Sequence, residues 1–199
     1  MNAPARPLRA DAARNRRRVL DAARDAFLRS GVTASLDDIA RAAGVGPGTL
    51  YRHFPTRDQL VLAVIEDGLR DSAALGAELL QRADPVGALQ QWLIDYISQA
   101  GVFDGLARSL VALPDGDSAG KDACNAAKGA GAALVQKAVE AGELRADVDI
   151  NDVLDLAAAI AWVGEQPDRD DGQQSRLVRI LLDGLRRTPA RGEPATEIT

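Results

Sequence analysis

One cysteine and one histidine are all that this chain of 199 residues contains of those two types. A lone cysteine, Cys124, excludes an internal disulfide and suits a reducing cytoplasm. A lone histidine, His53, leaves no second imidazole for a multi-histidine metal site. No Ser-His-Asp arrangement or cofactor signature accompanies it, so the chain reads as a non-enzyme without metal or cofactor. No apolar run approaches the roughly 20 residues that a membrane-spanning helix needs. The arginines near the N-terminus have no apolar stretch behind them, which argues against a secretory signal, and the expected localisation is cytoplasmic. Strand signals are nearly absent as well. There are no alternating Val/Ile/Thr runs with an Asp-Gly turn between them, and the Asp-Gly dipeptides at Asp67 and Asp183 sit inside helical periodicity.

With 46% apolar residues the chain can build a real core. Its net charge of −5 is unevenly distributed. Residues 1–54 hold ten arginines against five aspartates, a balance of +5, while the remainder holds 14 basic and 24 acidic side chains, a balance of −10. A basic front on an acidic body is the pattern of a DNA-binding head joined to a domain that does not touch DNA. Arg14, Arg16, Arg17 and Arg18 form the densest basic cluster and are candidates for contact with the nucleic-acid backbone.

Hydrophobic periodicity predicts nine helices, three in a head and six in a body. The first spans Asp11–Ser30, with Val19, Ala23, Ala26 and Phe27 facing inward, Asp21/Arg24 and Asp25/Arg29 as surface pairs, and Gly31 as a left-handed C-cap. Ser35 caps a second, short helix whose Leu36, Ile39, Ala40 and Ala43 make one apolar face. Gly44 ends it. Pro47 opens a third helix, with Leu50 and Phe54 inward, and Pro55 stops it. A long helix follows from the Thr56 cap to about Ala83. Further helices are expected at Val86–Ala100, Val102–Leu113, Ser118–Ala141, Ile150–Val163 and Gln173–Arg187. The expected divisions are a mobile N-terminal arm (1–9), a DNA-binding domain (10–56), a body (57–187) and a mobile tail (188–199).

Two short helices joined by a tight turn and braced by a third make a helix-turn-helix. The second of the pair must enter a major groove about 12 Å wide, so bulky side chains on it must be few. Gly44–Phe54, GVGPGTLYRHF, meets that demand. Gly46 and Gly48 leave room, Thr49 and Arg52 reach base edges, and Tyr51 and His53 reach phosphates. The GVGPG stretch follows a helix, not a strand, and lacks the Gly-Lys-Ser/Thr of a nucleotide-binding loop.

The run SLDDIARAAGVGPGTLYRHFPTRDQL (Ser35–Leu60) resembles the DNA-binding signature of the tetracycline-repressor (TetR) family over roughly residues 11–65. The resemblance implies that Ser35 caps the scaffold helix and touches phosphate. It places Pro47, Gly48, Thr49 and Arg52 near bases, and Tyr51, His53 and Arg57 on the backbone. Asp37 departs from members that carry a contacting polar or basic residue there, and as an anion it is not expected to meet phosphate. The same resemblance implies a homodimeric repressor that occupies a pseudo-palindromic operator on double-stranded DNA and is released by a small-molecule effector.

The body is similar to the family in architecture, most closely in the stretches KAVEAGELRADVDINDVLDL and LVRILLDGLR. Trp92, Tyr96, Phe103, Leu106, Leu110 and Trp162 are candidates for lining an effector pocket, and each is equally an ordinary core residue of a helical bundle. Val153, Ala157 and Ile160 lie on a helix that is apolar all round. With Leu177, Leu181 and Leu185 on the last helix, they are the candidates for a two-fold dimer interface of four helices. Cys124 reads as a small packing residue, and the acidic runs Asp115–Asp117 and Asp168–Asp171 as turns.

Overall fold

The structure, a computed structural model, describes residues 5–110, 118–164, 166 and 172–187. It is all-α. The helices are α1 (Ala5–Ser30), α2 (Leu36–Ala42), α3 (Pro47–His53), α4 (Arg57–Leu79), α5 (Pro85–Leu110), α6 (Ser118–Glu140), α7 (Ile150–Gly164) and α8 (Gln173–Leu185), with a 3-10 turn at Gly31–Thr33. The only extended pairing among the described residues is a single antiparallel bridge, Leu144 with Arg186, which ties the end of α8 to the connection after α6.

The chemistry of the helix ends accounts for most boundaries. The Ser35 hydroxyl accepts from the Asp38 amide and starts α2. Gly44, at φ +64°, ends it in a Schellman arrangement, its amide donating to Arg41 O and that of Val45 to Ala40 O. Pro47 occupies the first turn of α3, where a missing N–H costs nothing. The Thr56 hydroxyl accepts from the Gln59 amide and starts α4.

Four expectations need correction. The first helix begins at Ala5, six residues before Asp11, because a proline within the first turn (Pro7) is compatible with a helix and the neighbouring alanines and arginines favour one. Helices expected on either side of Gly101 are one helix, α5, so the described residues contain eight helices and the body five. A single interior glycine costs only about 1 kcal/mol relative to alanine, and no proline or cap accompanies this one. Helix α4 stops at Leu79 rather than Ala83: Lys137, from α6, donates to the carbonyls of Leu80 and Arg82 and closes that end. Cys124 is exposed rather than packed inside. The expected acidic turns at 115–117 and 168–171, the outer residues of the arm (1–4) and the tail (188–199) lie outside the described residues.

Two hydrophobic cores result. The head core joins Val19, Leu20, Ala23 and Phe27 of α1 to Ile39 and Ala40 of α2, Leu50 of α3 and Phe54, then continues into α4 through Leu60, Val61, Val64 and Ile65. The body core begins at Leu79 and gathers α5, α6, α7 and α8 around Trp92, Leu93, Leu134, Val153, Val178 and Leu182. Helix α4 belongs to both. Its body half packs closely on α6 and α5 because Gly76 and Gly131 have no side chain. A Cβ on Gly131 would lie 2.5 Å from Cη2 of fully buried Trp92, and one on Gly76 would lie 2.7 Å from the Cβ of Ala130.

Candidate nucleic-acid interface

Helix α3 is held from behind and open in front. Leu50 and Phe54 are buried in the head core, and burial of each is worth about 1.5–3 kcal/mol. Arg16 of α1 stacks over the Phe54 ring, 5.5 Å from its centroid. The opposite side of α3 is free. Pro47, Gly48, Tyr51 and Arg52 are exposed, Tyr51 at 46%, and Thr49 and His53 are half-buried beside them. A Cβ built on Gly46 or Gly48 would meet nothing within 4 Å, so no packing demand of the chain itself requires glycine at either position. The two glycines leave the backbone at the start of α3 open to close approach from outside.

Arg52 folds back along its own helix, donating from Nε to Gly48 O at 3.0 Å and from Nη2 to the Thr49 hydroxyl at 3.3 Å. Five N–H donors on a planar head, parked on an exposed helix, can swing outward to the edge of a guanine. Ser35 is exposed but its hydroxyl already caps α2. Asp37 is exposed, and Asp38 is ion-paired with Arg41.

Arg57, expected on the DNA backbone, has partners within the head. It is half-buried, and its Nη1 donates to Val32 O at 2.7 Å and Ala34 O at 2.6 Å. The guanidinium fastens the first turn of α4 to the connection between α1 and α2, so it stabilises the head rather than standing free on its surface.

A second fastening was not legible in local spacing. Arg24, expected to pair with Asp21, reaches instead to Asp67 and Asp71 of α4, at 3.1 Å each, while Arg17 pairs with Asp21 at 3.1 Å and Asp67 at 3.3 Å. The nearly buried Asp67 carboxylate, followed by Asp21 and Asp71, raises Arg17 above the ordinary arginine value, against the opposing effect of its own burial. The available signal was two arginines seven residues apart on α1 facing two aspartates four apart on α4; both spacings place a pair on one helix face. Of the basic cluster, then, Arg17 is engaged within the protein, Arg14 with Asp11, and Arg18 with Asn15.

In the body, Trp92 is fully buried, donates its indole N–H to Ser72 O at 2.9 Å, and stacks on Tyr96 with ring centroids 5.2 Å apart. Burial, with Cys124 nearby, pushes the Tyr96 phenol above its usual value. Trp162 does not join them: it projects from α7 at 52% exposure. Phe103, Leu106 and Leu110 belong to α5, but their side chains lie outside the described residues. Val153, Ala157 and Ile160 are buried in the protomer's own core, whereas Leu177, Leu181 and Leu185 are half-buried at its rim. The large apolar side chains that α7 and α8 leave open are Leu156 (47%), Trp162 and Ile180 (66%).

Residues 19–64 match the family described as "Bacterial regulatory proteins, tetR family", and residues 84–187 match "Transcriptional regulator SbtR-like, C-terminal domain". Among solved structures, the chain is similar to the TetR transcriptional regulator SCO0520 from Streptomyces coelicolor, with 37% identity and a TM-score of 0.74, covering 87% of this chain and 99% of that one. A TetR transcription regulatory protein from Mycobacterium vanbaalenii is 40% identical, with a TM-score of 0.69, over 91% of this chain and 100% of its own. Among curated relatives, the transcriptional regulator TtgR of Pseudomonas putida is 31% identical over 103 residues, which is 50% of this chain and 49% of the relative. The transcriptional repressor LfrR of Mycolicibacterium smegmatis is 43% identical over 72 residues, 36% of this chain and 35% of that protein. The chain therefore spans about half, or less, of the length of the curated relatives it matches.

Proposed function

Since the chain belongs to the TetR family of bacterial transcriptional regulators, we propose that it acts in the cytoplasm as a homodimeric repressor. It binds a pseudo-palindromic operator and leaves it when a small molecule occupies the body. The observation that carries this reading is the empty outer face of α3: two glycines with nothing near them, flanked by exposed Tyr51 and Arg52 and by Thr49, on a helix anchored through Leu50 and Phe54. Thr49 and Arg52 read base edges. Tyr51 and His53 hold phosphates, and Ser35 contributes at the cap of α2.

Two heads must sit about 34 Å apart to meet successive major grooves on one side of DNA. The second copy docks on the open faces of α7 and α8, where Leu156, Trp162 and Ile180 would otherwise leave apolar area in water. Helix α4, shared by both cores, carries a change in the body to the head. A ligand that alters how α4 lies on α5 and α6 alters the separation of the heads, and it shifts the balance only by its differential affinity for the two arrangements.

Selection of genomic fragments by the purified protein, followed by anisotropy titration of the recovered sequences across salt, tests the reading. The expected result is a pseudo-palindrome bound far more tightly than unrelated DNA. Recovery of only salt-labile, sequence-independent binding would refute it.

A further inference from the structure

One face of α5 carries Trp92, Asp95, Tyr96 and Gln99, at spacings of three, four and seven residues, against Ser72 of α4. The polar atoms there are unbalanced. Gln99 Nε2 donates to Asp95 Oδ2 at 2.7 Å and to the Ser72 hydroxyl at 3.2 Å, and that hydroxyl lies 3.3 Å from the same carboxylate oxygen. The Trp92 indole N–H is directed to Ser72 O. The Ser72 hydroxyl, the Gln99 amide N–H groups and the Trp92 indole are thereby committed, yet Gln99 Oε1 is shut away from solvent and accepts from nothing. Nor does any lysine, arginine or histidine among the described residues pair with Asp95. A polar cluster serving only to hold α4 on α5 would match its donors to its acceptors; this one lacks a positive charge and at least one N–H.

We propose that the Ser72–Asp95–Gln99 cluster is the polar end of the effector site and binds an organic cation that donates hydrogen bonds, of the aryl amidinium or aryl ammonium class. The proposal rests on the effector-release reading above and gives its ligand a chemistry. The cation sits against Asp95 and donates to Gln99 Oε1. Its aryl part lies along the half-buried Tyr96 ring, which is backed by Trp92. Trp92 itself is fixed between Gly76 and Gly131 and serves as a rigid wall rather than a mobile contact. An anionic ligand of the same shape would meet a carboxylate and an acceptor oxygen and be repelled.

The test uses the full chain without DNA, titrated calorimetrically with 2-naphthamidinium and with 2-naphthoate, a pair of like shape and opposite charge. One amidinium should bind per chain, and the carboxylate should not bind. Asp95→Asn and Gln99→Met should each weaken the amidinium about tenfold or more, with thermal unfolding recorded for both, whereas Gln99→Glu should tighten it. Equal binding of both ions, binding of neither, or amidinium affinity unmoved by Gln99→Glu and Asp95→Asn would overturn the site. Operator affinity is measured separately. A protein that binds its operator but ignores the amidinium refutes the cation site alone, and one that takes the amidinium but reads no DNA sequence refutes the regulator alone.

Discussion

Arg52 and Arg57 are both arginines within the same DNA-binding signature, and their surroundings give them different work. Arg52 rests on its own exposed helix through contacts it can give up. Replacing it with alanine should leave the melting temperature nearly unchanged while costing about 1–3 kcal/mol of operator affinity and relaxing base preference at one position of each half-site. Anisotropy on single-base operator variants reads both effects. Arg57 closes two carbonyls of the α1–α2 connection, so Arg57→Ala should lower folding stability by about 1–3 kcal/mol, in line with the cost of leaving buried acceptors unpaired. Its loss of DNA affinity should track the head's unfolding, and an unchanged urea midpoint would return Arg57 to the phosphate backbone. Sequence alone distinguished Thr49 and Arg52 from buried Leu50 and Phe54, because one helical turn settles which side chains share a face. It could not foresee the role of Arg57, whose partners lie 23 and 25 residues earlier and become neighbours only in the folded head.

Among the elements, α3 and α6 use glycine for opposite reasons. At Gly48 a methyl group meets empty space, so Gly48→Ala should raise stability by up to about 1 kcal/mol through helix propensity, while crowding the DNA surface and reducing operator affinity. At Gly131 the same methyl group would strike a fully buried indole held between two helices, and Gly131→Ala should destabilise the body by about 1–3 kcal/mol. Thermal melts paired with operator titrations separate the two cases; a destabilised Gly48→Ala protein would mean that α3 packs more tightly than its open face indicates. Helix ends were legible wherever a cap is written in side chains, as at Ser35, Gly44, Pro47 and Thr56. Gly101 was not, since a glycine marks a break only when other breakers accompany it. The end of α4 was hidden for another reason: its cap is Lys137, more than fifty residues downstream.

At the scale of the whole molecule, the proposed dimer surface keeps the two helices that the sequence singled out and exchanges the residues on them. An apolar α7 announces that it is covered on both sides, yet periodicity cannot say which stripe meets its own core. Folding assigns Val153, Ala157 and Ile160 to the protomer and leaves Leu156, Trp162 and Ile180 outside. Ile180→Glu should therefore weaken dimerisation, measured by sedimentation or light scattering, and reduce operator affinity by more than about tenfold at protein concentrations near the dimer Kd. The melting of the isolated protomer should hardly change, because the residue is already in water. A dimer that survives the substitution would move the interface to another face.

The head core runs on through Leu60, Val61, Val64 and Ile65, and two α1 arginines grip α4 as far along as Asp71. The seam between modules thus lies within a continuous helix. For anyone transplanting this head onto another body, the joint has to follow Asp71 and preserve helical phase, since each residue added or removed there turns one module about 100° against the other. An insertion into α4 should therefore cost the protein far more than a substitution on its exposed face, because only the insertion breaks the helical register between head and body.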